Sequence, residues 1–207
     1  MAMYVPEHFD EQNVEAVHTL MTDHPFATLI ANGSSGLLAN HLPFVFDAEN
    51  GSSGILRAHV ARANDVWRLV PDGAEVLVVF QGSQHYVSPS WYPSKHESHR
   101  QVPTWNYQVV QARGTIAWRH DEPFLRGIVA QLTKIHEAGE PVPWRMSDAQ
   151  PDYLAEMLRN IVGLEIAVTS LRGKSKLSQN KEDRDRRGAA ETLRERGAAD
   201  LADAMLP

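Results

Sequence analysis

Strict alternation of apolar and polar positions identifies the clearest strand of the chain. The alternating apolar residues are Val162, Leu164, Ile166 and Val168, separated by smaller or polar residues. Such a pattern is typical of a β-strand with one buried face. The same alternation predicts a strand over Tyr107–Trp118, and the most apolar strand, Glu75–Gln81, is predicted to lie inside a sheet.

Three apolar segments in the first third of the chain are separated by turn sequences. The segments are Phe26–Ala31, Leu37–Phe46 and Ile55–Val60, and Asn32-Gly33 and Asn50-Gly51 lie between them. Because Asn-Gly pairs favour tight hairpins, we predict a three-stranded antiparallel meander. Pro43 within the second segment indicates an edge strand or a bulge, since proline cannot donate a ladder hydrogen bond.

Apolar residues at helical spacing predict helices between and after the strands. The predicted helices are one capped by Asp10 and ending near Asp23, Arg62–Val70, one capped by Asp121, Asp152–Asn160, and Glu182–Arg196 with a weaker helix from Gly197 to Met205. Tyr86–Tyr92 is expected to be irregular or an edge strand, and 96–101 to be a mobile tip. The fold class is therefore mostly β with helices, as a closed antiparallel barrel of about six strands decorated by helices, with an open sheet as the alternative.

The amino-acid composition excludes several classes of protein but does not identify the class to which the chain belongs. The 207 residues are 43% hydrophobic and contain no cysteine, which excludes disulfides, thiolate metal sites and cysteine nucleophiles. No apolar run approaches the roughly 18 residues of a membrane span, so no membrane partner is expected. Residues 1–11 carry three acids and no leader pattern, so we expect a cytoplasmic protein. We also expect one domain over 1–181 and a helical tail over 182–207 that packs on the barrel or on a dimer partner.

The basic residues are concentrated near the end of the chain. Seven bases and three acids between Arg172 and Arg187 give this segment a charge of +4, whereas the whole chain carries −6 and the remainder therefore −10. The chain as a whole would repel nucleic acid. Direct DNA binding through the basic segment is kept as a minor alternative.

The junction His59-Val60-Ala61-Arg62-Ala63-Asn64 is a candidate phosphate site, because a strand is predicted to pass into a helix there. A helix amino terminus offers unpaired amides, and Arg62 would add a charge-assisted contact. The alternative is that Asn64 or Asp65 caps a helix and Arg62 faces water.

Two further segments carry polar and aromatic residues suited to a ligand. The loops Tyr86–Lys95 and Val102–Tyr107 hold tryptophans, tyrosines and serines, so Trp91 could wall a pocket for a flat ring while Lys95 orients the ligand. A subunit contact would explain the same composition. Lys174 and Lys176, two positions apart, could form an anion pocket on one side of an extended segment, or simply be solvated charges. His41 and His59 lack carboxylates at ligand spacing, so no metal site is expected.

The sequence resembles the PaiB family, bacterial proteins described as FMN-binding negative transcriptional regulators. The motifs that carry the resemblance are Asn40-His41-Leu42-Pro43-Phe44, His59 to Asn64, Tyr86 to Lys95, Val102 to Tyr107, and Gly173-Lys174-Ser175-Lys176-Leu177-Ser178-Gln179-Asn180.

The resemblance implies an FMN-binding split barrel, similar to pyridoxamine phosphate oxidases, that forms a homodimer with flavin at the subunit interface. It implies that Arg62 and Asn64, with His59 nearby, hold the FMN phosphate, that Asn40, His41 and Leu42 line the flavin ring, and that Lys174 and Lys176 contact substrate or phosphate. The expected partner is FMN or a related phosphorylated flat molecule, and the expected role is indirect transcriptional regulation. A flavin-dependent oxidoreductase and a haem ligand on His41 or His59 remain as alternatives.

Overall fold

The computed structural model describes residues 3–206; residues 1, 2 and 207, which fall within the predicted ranges 1–181 and 182–207, lie outside the described residues. The strands are β1 (Asp10–Glu11), β2 (Phe26–Gly33), β3 (Gly36–Pro43), β4 (Val45–Asp47), β5 (Ile55–Ala61), β6 (Glu75–Val87), β7 (Thr104–Arg119) and β8 (Ile161–Lys176). The α-helices are α1 (Val14–Asp23), α2 (Val66–Leu69), α3 (Pro93–Ser98), α4 (Glu122–His136), α5 (Pro151–Arg159), α6 (Asp183–Glu195) and α7 (Ala199–Met205). Among these described residues no helix combines the length and apolar character needed to cross a bilayer.

The strands form one sheet in the order β3-β2-β6-β7-β8-β5-β4, with β1 paired to β8. The pairs β2–β3, β2–β6, β4–β5, β5–β8 and β1–β8 are antiparallel. Since β1 and β4 span only two and three residues, the six long strands correspond to the six predicted ones. The predicted class, mostly β with helices, is confirmed, and Pro43 lies on an edge strand as expected.

The described residues pack into two compact units. We call residues 24–80 and 112–171 the junction unit, and residues 3–23, 81–111 and 172–206 the carboxy-terminal unit. The predicted boundary at residue 181 does not coincide with this division and stays a prediction.

In the junction unit, one face of β5 and β8 supplies the core. Leu56, Ala58 and Val60 of β5 are paired with Ile166, Leu164 and Val162 of β8, and all six are at most 2% exposed. The opposite face is covered by α4, whose Ile128 and Leu132 pack with Val45. The predicted cap is confirmed, because Asp121 Oδ1 accepts a hydrogen bond of 2.9 Å from Phe124 N.

Gly163 allows α4 to approach β8 closely. A Cβ at Gly163 would lie 2.6 Å from the Phe124 ring and 3.1 Å from a Leu125 methyl group. A glycine in a strand interior often records such a close approach, and here it brings the helix onto the sheet beside His59, the register partner of Gly163.

In the carboxy-terminal unit, α6 and α7 form the main apolar cluster. Leu193, Leu201 and Met205 are fully buried there with Val87 and Tyr92. The predicted helices over Glu182–Arg196 and Gly197–Met205 are confirmed within one or two residues.

Five local predictions of the sequence are wrong. The predicted three-stranded meander does not form, because β3 ends at Pro43 and β5 pairs with β4 and β8 instead of β3. The cap of α1 is Asn13, whose Oδ1 accepts from Glu15 N and Ala16 N, because Asp10 is taken up in β1. The segment predicted as a mobile tip begins in α3, and the last strand, predicted from the alternation between Val162 and Val168, continues to Lys176 as β8. The helix predicted over Arg62–Val70 is only Val66–Leu69, for a reason found in the junction itself.

Candidate functional site

Arg62 is held by backbone carbonyl groups at the start of β8. Its Nε donates to Arg159 O at 2.6 Å and its Nη2 to Ile161 O at 2.8 Å, while its backbone N–H donates to Asn160 O at 2.8 Å. These three bonds hold Arg62 in a turn and delay the start of α2. Among residues 3–206 no carboxylate forms a salt bridge with the guanidinium, and its N–H groups beyond the two that bond to carbonyls remain available to an anion.

Asn64 occupies the turn between β5 and α2 and uses both ends of its amide. Its Oδ1 accepts from Val66 N at 3.0 Å, and its Nδ2 donates to Asn40 Oδ1 at 2.7 Å. Asn64 therefore satisfies the first amide of α2, although Asp65 occupies the N-cap position and makes no capping bond with its side chain. Because the amides of Arg62 and Val66 are already bonded, and α2 has only four residues, the phosphate-binding capacity of this junction rests on Arg62 rather than on a helix amino terminus.

A hydrogen bond, a ring contact and an ion pair stabilise the same turn. Trp67 Nε1 donates to Arg62 O at 3.0 Å, and the Trp67 ring meets the His120 ring edge-on at 5.3 Å. Asp65, the carboxylate nearest in sequence to Arg62, instead pairs with Arg68. Asp65 thus does not compete with an anion for Arg62.

His59 lies on the face of β5 that α4 covers. Its Nδ1 is buried and has no hydrogen-bond partner among residues 3–206. Burial lowers the pKa of His59, so the imidazole is held neutral near pH 7. A buried ring nitrogen without a partner is unusual in a folded protein, and this nitrogen can bond to an ordered water or to a ligand.

A charged network continues along the same face of β5. Arg57 bonds to Asp47 and to Glu165, each at 2.9 Å, and Arg119 bonds to the other oxygen of Glu165 at 2.7 Å. Burial alone would raise the pKa of Glu165, but the hydrogen bonds from the two arginines outweigh it and lower that pKa. The network compensates its own charges, whereas Arg62 forms no salt bridge within residues 3–206.

The three candidates on β3 do not share one face, since neighbouring residues of a strand alternate. Asn40 and Leu42 lie on the face that carries Leu29 and Ala27, and Leu42 is buried. His41 is on the opposite, exposed face, where its Nδ1 is 3.0 Å from Thr28 Oγ1. Asn40 is thus the β3 residue in direct contact with the Arg62 junction, through Asn64.

Trp91 and Lys95 lie in the carboxy-terminal unit. Trp91 ends the turn Pro89–Trp91, and the Arg196 guanidinium lies 5.0 Å from the centre of its ring. Lys95 is on α3, which is anchored by Asp185: this carboxylate, 1% exposed, accepts from Ser94 N at 3.0 Å and from Ser94 Oγ at 2.6 Å.

Lys174 and Lys176 point to the same side of β8 and have partners within their own unit. Lys174 Nζ donates to Tyr4 O at 3.2 Å and lies 5.4 Å from the centre of the Tyr107 ring. Lys176 Nζ bonds to Thr104 Oγ1 at 2.5 Å.

The ten candidates therefore fall into two groups, one in each unit. Arg62, Asn64 and Asn40 form a connected set, with His59 on the neighbouring part of β5. The carbonyl groups of Arg159 and Ile161 and the ring of Trp67 were not predicted, and a backbone acceptor about a hundred residues away has no sequence pattern that could reveal it. Residues 3–206 contain no cluster of three metal-ligating side chains.

Solved structures with the same fold bind flavin. The flavocytochrome Anf3 from Azotobacter vinelandii matches with a TM-score of 0.64 over 88% of this chain and 77% of that chain, at 11% identity. The FAD and haem binding protein from Mycobacterium smegmatis matches with a TM-score of 0.60 over 85% of this chain and 78% of that chain, at 18% identity. The fold is thus that of the split-barrel flavoproteins.

Sequence comparison defines the family more closely. The family model described as "Putative FMN-binding domain" matches residues 3–170. The protease synthase and sporulation protein PAI 2 of Bacillus subtilis is 31% identical over 92% of this chain and 89% of its own length. An uncharacterized protein of Saccharomyces cerevisiae is 31% identical over 67% of this chain and 93% of its own length. The chain belongs to this FMN-binding domain family, and the PaiB resemblance is confirmed.

Proposed function

We propose that the protein binds FMN and that Arg62 contacts its phosphate. The observation that carries this proposal is the anchoring of the guanidinium by two carbonyl groups, with no acid beside it. An arginine fixed in this way loses little side-chain entropy when it meets an anion, and an arginine–phosphate hydrogen bond is among the stronger ones in proteins.

The neighbouring groups fit a polar ligand as well. The Asn40–Asn64 amide pair leaves acceptor and donor positions beside Arg62, and His59 brings a buried nitrogen without a partner. Bound FMN would supply electron-transfer chemistry, whereas the chain would supply binding and orientation. Trp91, Lys95, Lys174 and Lys176 stay candidates for contacts with the ligand.

Titration with FMN and with riboflavin tests the phosphate contact directly, because riboflavin is the same ring system without the phosphate. We expect the flavin fluorescence of FMN to be quenched on binding with a Kd below about 100 μM, a binding free energy of roughly −5.5 kcal/mol, and FMN to bind more tightly than riboflavin. Arg62→Gln should weaken the affinity for FMN about tenfold or more and leave the affinity for riboflavin almost unchanged.

Arg68→Gln is the matched control, since Arg68 is in the same turn but pairs with Asp65. Equal losses for FMN and riboflavin in Arg62→Gln would refute the phosphate role. The absorption spectrum of the purified protein checks the alternative ligand, since bound haem would give a Soret band and bound flavin would not.

We further propose a homodimer formed through the exposed face of β2 and β3. Phe26 is 67% and Leu37 81% exposed there, and this face also carries the apolar residues Ile30, Ala39 and Pro43 and the polar residues Thr28, Asn32 and His41. Exposed patches of this kind commonly mark association surfaces. Light scattering should give a dimer for the native chain and a monomer for Leu37→Asp, while Tyr153→Asp, at an exposed tyrosine on α5, should remain dimeric.

The regulatory role that the PaiB resemblance implies would then be indirect, exerted through the bound ligand. Most bases of the segment Arg172–Arg187 already have partners: Arg172 pairs with Asp10 and Arg184 with Glu97 and Glu182. Lysines 174, 176 and 181 are likewise hydrogen-bonded. A gel shift at about 50 mM salt should therefore show no binding to DNA, and tight, salt-sensitive binding would contradict the proposal.

A further inference from the structure

A cavity of the junction unit lies outside the candidate flavin site. It has a volume of about 670 Å³ and is bounded by the last turns of α4 and by the loop that follows. This volume is within the range of pockets that hold small organic molecules, roughly 300–1,000 Å³. None of the residues discussed above for flavin or dimer contacts lines it.

The wall of the cavity is apolar and partly aromatic. Trp144, Met146 and Pro143 come from the loop, and Ala130 and the methyl-bearing Thr133 come from α4. The loop is fixed over the helix because Trp144 N donates to Glu137 Oε2 at 2.8 Å. The cavity is therefore a formed pocket with a flat ring on one side.

The charged groups at this cavity favour an anion. Lys134 and Arg145 both line it and neither forms a salt bridge among residues 3–206. The acidic residue of the lining, Glu137, is already engaged by Trp144. Two cations and one carboxylate leave the lining with a net positive charge beside an apolar wall, which suits a molecule with an apolar body and one negative group.

We propose that this cavity binds a small aromatic or aliphatic carboxylate, with its apolar part against Trp144 and its carboxylate at Lys134 and Arg145. The site would serve as an effector site, because α4 lines the cavity with one side and packs on Val45 and Gly163 with the other. A ligand in this cavity would contact α4, the helix that covers His59.

Calorimetric titration with three probes of the same apolar body tests the class of ligand. We expect phenylbutyrate to bind saturably, phenylbutanol about tenfold more weakly, and phenylbutylamine not at all. The double variant Lys134→Gln/Arg145→Gln should bind phenylbutyrate only as weakly as the native protein binds phenylbutanol. Arg126→Gln removes a charge from the same helix outside this cavity and should change nothing.

Filling the cavity tests its location. Ala130→Trp should abolish phenylbutyrate binding, whereas Gln131→Trp, which adds the same side chain one residue along but outside the lining, should keep it. Both positions are exposed, so both variants should fold, and a thermal melt confirms it. Equal affinity of phenylbutyrate and phenylbutylamine, or undiminished binding by Ala130→Trp, would overturn the proposal.

Discussion

The buried carboxylate of Asp185 fixes the segment that carries Trp91 and Lys95, and its removal should cost the protein a measurable part of its stability. Asp185 accepts two hydrogen bonds from Ser94 and a longer one, 3.3 Å, from Gln101 Nε2. In Asp185→Ala the buried N–H and O–H of Ser94 lose their acceptor. Each unsatisfied buried donor costs about 1–3 kcal/mol, so we expect a loss of about 2–5 kcal/mol.

A loss of that size is large for a chain of this length. At about 2–4 °C per kcal/mol for proteins of 150–250 residues, Asp185→Ala should lower the Tm by roughly 4–20 °C and shift the urea midpoint accordingly. The urea dependence of the unfolding free energy should keep its slope, since the surface exposed on unfolding hardly changes.

Asp183→Ala provides the control, because Asp183 is also in the first turn of α6 but its side chain is 78% exposed. Any effect of removing a negative charge from the helix amino terminus, about 0.3–1 kcal/mol, is shared by both variants. Asp183→Ala also removes the exposed ion pair of Asp183 with Arg186, which contributes about 0–1 kcal/mol. A difference between the two variants beyond that amount reports the buried hydrogen bonds. If the two variants melt within about a degree of each other, the carboxylate does not anchor α3 as described.

Three further predictions concern the junction unit. Gly163→Ala places a Cβ 2.6 Å from the Phe124 ring and should destabilise the protein by about 1–3 kcal/mol, whereas Gly127→Ala, with open space around it, should be neutral or stabilising in urea denaturation. Because burial lowers the pKa of His59 below its ordinary 6.5, the unfolded state binds more protons below that pH, so stability should fall from about pH 7 to 5 and fall less in His59→Gln. Because the pKa of Glu165 is lowered in the folded protein, its ionised carboxylate stabilises the fold near neutral pH, and this stabilisation is lost as acid protonates it. Between about pH 6 and 3 the urea midpoint should therefore fall less steeply in Glu165→Gln than in the native protein. An equally steep fall in both would contradict this.

The sequence by itself determined the elements whose stabilisation is local or periodic. Alternation predicted the strands at 107–118 and 162–168, and Asp121 was recognised as a helix cap because its acceptor serves an amide three residues later. Motifs of five to ten residues were sufficient to predict the family. These features depend on neighbours in sequence, so the sequence contains the information needed to find them.

The tertiary structure alone decided which candidate residues meet. Arg62 finds its acceptors on Arg159 and Ile161, and α3 is ordered by Asp185 instead of being mobile, because each contact joins segments about ninety to a hundred residues apart. Backbone carbonyl groups are present at every residue, so no pattern of side chains predicts which of them an arginine will reach. The cavity beside α4 could not be predicted from the sequence either, because its wall depends on how the loop after the helix folds back.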